Sequence, residues 1–261
     1  MKKLLLILSF ILLCGCSPNK PAQIITENNI SIETTYGENM TVSRALAAKM
    51  LCLIFFPNEN PTTNHFSDIS EKDWYYKYAN IMFEKKIMVG NEGLFSPIEP
   101  ITYIEGMKAV KRLGGNDVKY NSKDAATAIG YNAWLKMIIS LAEKKNIELT
   151  KSTLNIFSIG DGENSKLMTV CTDKGIYDYS GLGMESCVDK EISVCVKNND
   201  IAYIENITSQ TGTFKNIEIK KTENSVSAEL FGIKRTFECT LPFSNGKHDI
   251  TTENGKIIEI H

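Results

Sequence analysis

One ten-residue pattern recurs three times in the first part of the chain, and it constrains the fold more than any other feature. Val42-Ser43-Arg44-Ala45-Leu46-Ala47-Ala48-Lys49-Met50-Leu51, Ile101-Thr102-Tyr103-Ile104-Glu105-Gly106-Met107-Lys108-Ala109-Val110 and Ile129-Gly130-Tyr131-Asn132-Ala133-Trp134-Leu135-Lys136-Met137-Ile138 fall into one frame. Each opens with an apolar residue, a small capping residue and then Arg or Tyr. Units with the same start are expected to bury their apolar faces against one another.

The surrounding pattern is helical. Ala47, Met50, Leu51 and Ile54 have helical spacing, so a helix is expected from Ser43 through Phe55 and is ended by Pro57 and Pro61. Ser70 and Asp73 predict an N-cap and its partner three residues on, ahead of a helix carrying Trp74, Tyr78, Ile81 and Met82 and stopped by Gly90. Thr102 and Glu105 form a capping box for a third helix through Leu113, and a fourth is expected over Tyr131 to Lys145.

Past Leu149 the apolar period falls from 3.6 to two. Leu167 to Thr172, Ile192 to Val196, Ile201 to Ile207, Ile217 to Lys221, Ser225 to Leu230, Arg235 to Leu241 and Lys256 to Ile260 read as strands separated by turn residues. The expected class is α+β, a helical bundle over 41–148 followed by a small antiparallel β domain, barrel or sandwich, over 154–261.

Charge and motif content exclude several functions. With 29 Lys and Arg against 31 Asp and Glu and no block of like charge, the chain lacks the footprint of a nucleic-acid binder. No Ser-His-Asp set, paired-carboxylate signature or Gly-rich phosphate loop is present, and Gly181-Leu182-Gly183 is too little to hold a nucleotide. No cofactor and no metal are expected, with three His and no CxxC pair. Cys52 lies in an apolar helix, while Cys171, Cys187, Cys195 and Cys239 leave two disulfides open in any connectivity.

The N-terminus carries an export signal. Lys2 and Lys3 precede an apolar run from Leu4 to Leu13, shorter than the roughly 20 residues a membrane-spanning helix needs. Leu13-Cys14-Gly15-Cys16 resembles a bacterial lipobox, although Cys14 is unusual at its place. The resemblance implies a signal segment with its lipobox over 1–16, cleaved before Cys16, lipid on Cys16, a polar tether over 17–40 and residence on the outer face of the cell membrane. Two acyl chains suffice for stable anchoring where one is marginal.

Phe66-Ser67-Asp68, Trp74, Gly90, Gly93-Leu94-Phe95-Ser96-Pro97 and Ile101-Thr102-Tyr103-Ile104-Glu105 stand in the order of a repeat of the S-layer homology family. The resemblance covers 41–145, with Thr41 to Phe55 similar to the second helix of a preceding repeat and Tyr131 to Lys145 to a worn third copy. It implies a three-repeat bundle that binds anionic, pyruvylated polysaccharide attached to peptidoglycan, with Arg44, Asp68, Trp74 and Phe95 as candidate contacts. Arg44 keeps the family's Arg, whereas Tyr103 and Tyr131 replace it. Its guanidinium is expected beside unsatisfied N–H groups at a helix N-terminus, with little share in stability.

For each candidate a plainer reading stands alongside: core packing for Phe66, Trp74 and Phe95, a turn for Asp68, a cap for Glu105, a solvated surface for Arg44. The overall order is also similar to the front part of clostridial stage II sporulation protein D-like proteins. The expected function is a lipid-anchored, non-catalytic envelope protein associating with cell-wall polysaccharide. The alternative is a scaffold contacting other envelope proteins.

Overall fold

The computed structural model describes residues 36–115, 125–161 and 168–261. The leader, the lipidation site Cys16 and most of the 17–40 tether lie outside the described residues. The last tether residues do not: Tyr36 is buried, and its ring meets Tyr131 edge-on at 5.3 Å.

The described residues form four helices, α1 (Arg44–Phe55), α2 (Tyr76–Glu84), α3 (Tyr103–Arg112) and α4 (Tyr131–Lys144). In α1 every residue from Arg44 to Ile54 is buried, as befits a helix that is apolar on all sides except at Arg44 and Lys49. The α2 entry departs from its expectation. Ser70 and Asp73 do bond, with the Asp73 carboxylate accepting from the Ser70 N–H at 2.7 Å, but they close a separate turn, and α2 begins only at Tyr76 without a side-chain cap.

Helix α2 also ends before Gly90. Lys86, at φ 58°, takes the left-handed position, and the N–H groups of Lys86 and Ile87 donate to the carbonyls of Phe83 and Met82. This is the Schellman closure usually given to glycine. Gly114 closes α3 and Asn146 closes α4 with the same pair of bonds.

The repeat in sequence is a repeat in space. The Val42 N–H donates to the Ile129 carbonyl (3.0 Å), Ile129 to Ile101 (2.9 Å) and Ile101 back to Val42 (2.8 Å), so the three opening residues close a ring. A second ring surrounds it. The first helical N–H groups, on Arg44, Tyr103 and Tyr131, donate to the carbonyls of Glu99, Thr127 and Met40, each two residues ahead of the next copy's opening residue. Three helix starts thus meet in an approximate threefold, each supplying an acceptor to its neighbour.

The strands are β1 (Lys151–Asp161), β2 (Met168–Thr172), β3 (Gly175–Asp178), β4 (Glu191–Lys197), β5 (Asp200–Ser209), β6 (Gly212–Lys221), β7 (Val226–Leu230), β8 (Ile233–Phe237), β9 (Gly246–Glu253) and β10 (Lys256–Ile260). The first five close a barrel in the order β1-β2-β3-β5-β4, antiparallel except at the β3–β5 seam. The rest form an antiparallel sheet, β10-β9-β6-β7-β8. Four helices followed by a barrel and a sheet is an α+β fold.

Two apolar cores hold it together. The larger runs without a break from the helices into the barrel, from Leu46, Leu51 and Trp134 to Leu154, Ile192, Tyr203 and Ile204. The change of secondary structure between 148 and 154 therefore lies within a shared core. The smaller core underlies the second sheet and takes in Phe157. Strand β1 serves both, because its register shifts between Ile156 and Ser158, with Ile156 in the first core and Phe157 in the second. Asp189 ties the two together. Its buried carboxylate accepts both guanidinium arms of Arg235 on β8 (2.5 and 2.6 Å) and the Gly255 N–H, while Arg235 also donates to the Phe157 carbonyl.

All five cysteines among the described residues are free thiols, so the disulfides left open by the sequence are not formed. Burial pushes the thiols of Cys171 and Cys187 up to about 11 and that of Cys52 to about 12. They serve as small apolar side chains.

Candidate functional site

The expected site residues fall into two places. Asp68, Phe95 and Arg44 come together around the loop that enters α3, while Trp74 lies elsewhere.

Asp68 organises that loop. Its two carboxylate oxygens accept from the N–H groups of Phe95 (2.8 Å) and Ser96 (2.7 Å), holding Ser96 at a positive φ of 57°. Phe95 is then fully buried against Phe66, with ring centroids 5.1 Å apart. Gly90 is required here, since a Cβ on it would lie 2.3 Å from the Leu94 carbonyl oxygen. Asp68 and Phe95 therefore build the loop: the Phe95 ring is buried, and both oxygens of the exposed Asp68 carboxylate accept backbone N–H groups.

Arg44 is also more deeply engaged than the sequence suggested. Its side chain is 10% exposed. Nε donates to the Phe95 carbonyl at 2.6 Å, Nη1 donates to Glu105 Oε1 at 2.5 Å, and the guanidinium lies 5.2 Å from the Phe95 ring centroid. The free N–H groups expected beside it are absent. Those of Arg44, Ala45 and Leu46 donate to Glu99, Pro97 and the Ser43 hydroxyl. The cause is the threefold of helix starts, which supplies each first turn with acceptors from the next copy.

Glu105 joins the copies. Its Oε2 accepts from the Thr102 N–H and hydroxyl, completing the expected capping box, and its Oε1 takes the Arg44 charge. Burial opposes ionisation, but the Thr102 hydrogen bonds and the Arg44 charge outweigh it and hold the carboxyl below its usual range.

Beside this pair is a groove of about 190 Å³ lined by Arg44, Glu105, Lys108 and Arg112, with Met88, Val89 and Gly90 opposite. Lys108 and Arg112 are exposed and stand one turn apart on α3. The groove thus gathers three cations around one carboxylate already committed to Arg44. Sequence reasoning overlooked Lys108 and Arg112, although their spacing of four residues on a capped helix was the available signal.

The other two copies of the Arg position have different fates. Tyr103 is half-buried on the surface of α3. Tyr131 is fully buried, its hydroxyl donating to the Ile204 carbonyl at 2.9 Å and accepting from the Ile204 N–H at 2.8 Å. Where Arg44 faces a groove, Tyr131 is docked on β5.

Trp74 lies at a junction of helix and barrel, in a cleft of about 310 Å³ with Tyr76, Tyr78, Asp178 and Asp200. Gly181 makes room for it, since a Cβ there would fall 2.5 Å from the indole ring. That requirement accounts for the glycine that could have been mistaken for part of a nucleotide loop.

Three helix starts interlocked in a ring, a carboxylate-pinned loop and a cationic groove make up the candidate site. Residues 65–105 match the S-layer homology domain, which confirms that resemblance for the segment carrying the loop and the start of α3. No curated protein and no solved structure matches the chain. Among the described residues no group of side chains is arranged to hold a metal ion, and no helix is long and apolar enough to cross a membrane.

Proposed function

We propose that the chain is a lipid-anchored, non-catalytic envelope protein whose S-layer homology segment holds an anionic wall polysaccharide in the groove lined by Arg44, Glu105, Lys108 and Arg112. One observation carries the reading: three cations line a single groove whose only carboxylate is already paired. Arg44 is fixed by Phe95 and Glu105, so it supplies charge without reorganising. Lys108 is the exposed partner that reaches a carboxylate on the polymer, beside Arg112, whose Nη1 also donates to the Ile87 carbonyl at 2.9 Å. An acidic sugar would then be held by charge-assisted hydrogen bonds, with exposed Val89 beside its ring.

Binding to purified sacculi tests this. Lys108→Glu should weaken binding about tenfold or more, the size of one charge-assisted bond lost. Added salt should weaken it further, because the partners are exposed. The melting temperature should barely move. Equal binding by Lys108→Glu, or equal binding to sacculi stripped of their secondary polymer, would refute the assignment.

A further inference from the structure

A second cleft on the molecule has the opposite charge. It lies where α1, the entry to α2 and the β3–β5 seam meet, and it has a volume of about 310 Å³. Three rings, Trp74, Tyr76 and Tyr78, form much of its wall. Its charged lining consists of Glu71, Asp73 and Asp178 against Lys77, with Asp200 already neutralised by Lys49. Three carboxylates against one ammonium leave a net charge of −2.

The floor of the cleft is fixed. Lys49, fully buried in α1, places Nζ 2.7 Å from Asp200 Oδ1 and donates to the Ser180 carbonyl at 2.8 Å. The Tyr78 hydroxyl donates to Asp200 Oδ2 at 2.5 Å. Asp200 therefore has a cation on one oxygen and a donor on the other, and it is not available to a ligand. Asp178, its neighbour across the seam, is different. Its backbone N–H is bonded to Asn199, but among the described residues its carboxylate has no hydrogen-bond or ion-pair partner. Burial, with the Asp200 charge beside it, raises its carboxyl above the usual range, and the nearby Lys49 charge, committed to Asp200, offsets only part of that. A half-buried carboxylate with no hydrogen-bond or ion-pair partner of its own, facing aromatic rings, costs free energy that an incoming cation would recover.

We propose that this cleft binds an aliphatic ammonium group, of the kind carried by a lysine or another diamino-acid side chain, with Asp178 as its counter-charge and Trp74 as its ring platform. The ammonium sits between the Asp178 carboxylate and the rings, where cation–π attraction adds to the ion pair. The aliphatic stem lies along the aromatic wall. An anionic polymer is rejected by the same carboxylates. A neutral sugar would find rings but would leave Asp178 without its countercharge. This reading is independent of the cationic groove, because ligand and charge are of the opposite kind.

Titration of the folded protein with Nα-acetyl-lysine amide, followed by tryptophan fluorescence, tests it. Trp134 is fully buried, so a ligand at the cleft is reported by Trp74. A saturable change is expected with the lysine derivative and not with Nα-acetyl-norleucine amide, which keeps the stem and lacks the charge. Asp178→Asn should weaken the response about tenfold or more, as loss of a charge-assisted contact does. Lys77→Ala removes the like charge not committed to Asp200 and should tighten it, which keeps a readout if Asp178→Asn fails to fold. The proposal is overturned by any of three results: no saturable response to the amine, an equal response to norleucine amide or to N-acetylglucosamine oligomers, or unchanged affinity in both variants.

Discussion

Arg44 shows how a side chain suited to ligand recognition is first used to hold the protein together. Its guanidinium bonds to the Phe95 carbonyl and the Glu105 carboxylate and lies over the Phe95 ring, so it links the start of α1 to the loop pinned by Asp68. Removing it strands one buried carbonyl and takes a counter-charge from Glu105. Because Glu105 is 39% exposed, water recovers part of that loss. Arg44→Ala should therefore lower stability by about 1–3 kcal/mol in urea denaturation. An unchanged midpoint would show the pair to be a surface ion pair of no weight. Loss of sacculus binding in Arg44→Ala therefore has to be read at a temperature where the variant is fully folded, and Lys108 is the cleaner probe of the groove.

At the scale of the element, one helix start has been put to three uses. The shared ring of N–H to carbonyl bonds gives α1, α3 and α4 the same footing, and the third residue of each then faces something different. Arg44 faces the groove, Tyr103 lies at the surface, and Tyr131 is docked on β5. A tyrosine suits the last position because one hydroxyl both donates and accepts, and β5 presents the carbonyl and N–H of Ile204 together. These groups are exposed to the helix where the β4–β5 register shifts, between Ser193 and Val194. Tyr131→Phe keeps the packing and leaves both groups buried without a partner. A loss of about 2 kcal/mol is expected from urea denaturation, with little effect on sacculus binding. A loss of under about 0.5 kcal/mol would mean that Ile204 finds other partners.

Across the whole molecule, the helices and the barrel share one core, and the second sheet is joined to it through Phe157 and the Asp189–Arg235 pair. The buried Lys49–Asp200 pair crosses the same boundary between helix and barrel. The grooves of opposite charge are thereby built on elements that share this core. The proposed anchor belongs to this scale too, since a lipid on Cys16 would keep both grooves near the wall. Cys16→Ser should move the protein from the membrane pellet to the medium or leave an uncleaved precursor. A normally cleaved product that still pellets without detergent would end the lipoprotein reading.

Local chemistry was enough to define α1, the capping box at Thr102 and Glu105, the loop of the S-layer homology segment and most strands, because caps, glycines and periodicity act within a few residues. It did not reveal β1, whose neighbours Ile156 and Phe157 are both buried, one in each core, so that no simple alternation marks the strand. Nor did it show β9, where Ile250 and Thr252 are buried in a run of polar residues. It named Arg44 in one copy of the repeat and Asp68 and Phe95 in the next as candidate contacts but could not say that they would bond to each other rather than to a ligand. That was decided by long-range contacts: the ring of helix starts that took the N–H groups beside Arg44, and the packing of α3 that set Lys108 and Arg112 beside it. Which side chains carry charge is read from the sequence alone; which of those charges pair with one another is decided only by tertiary packing.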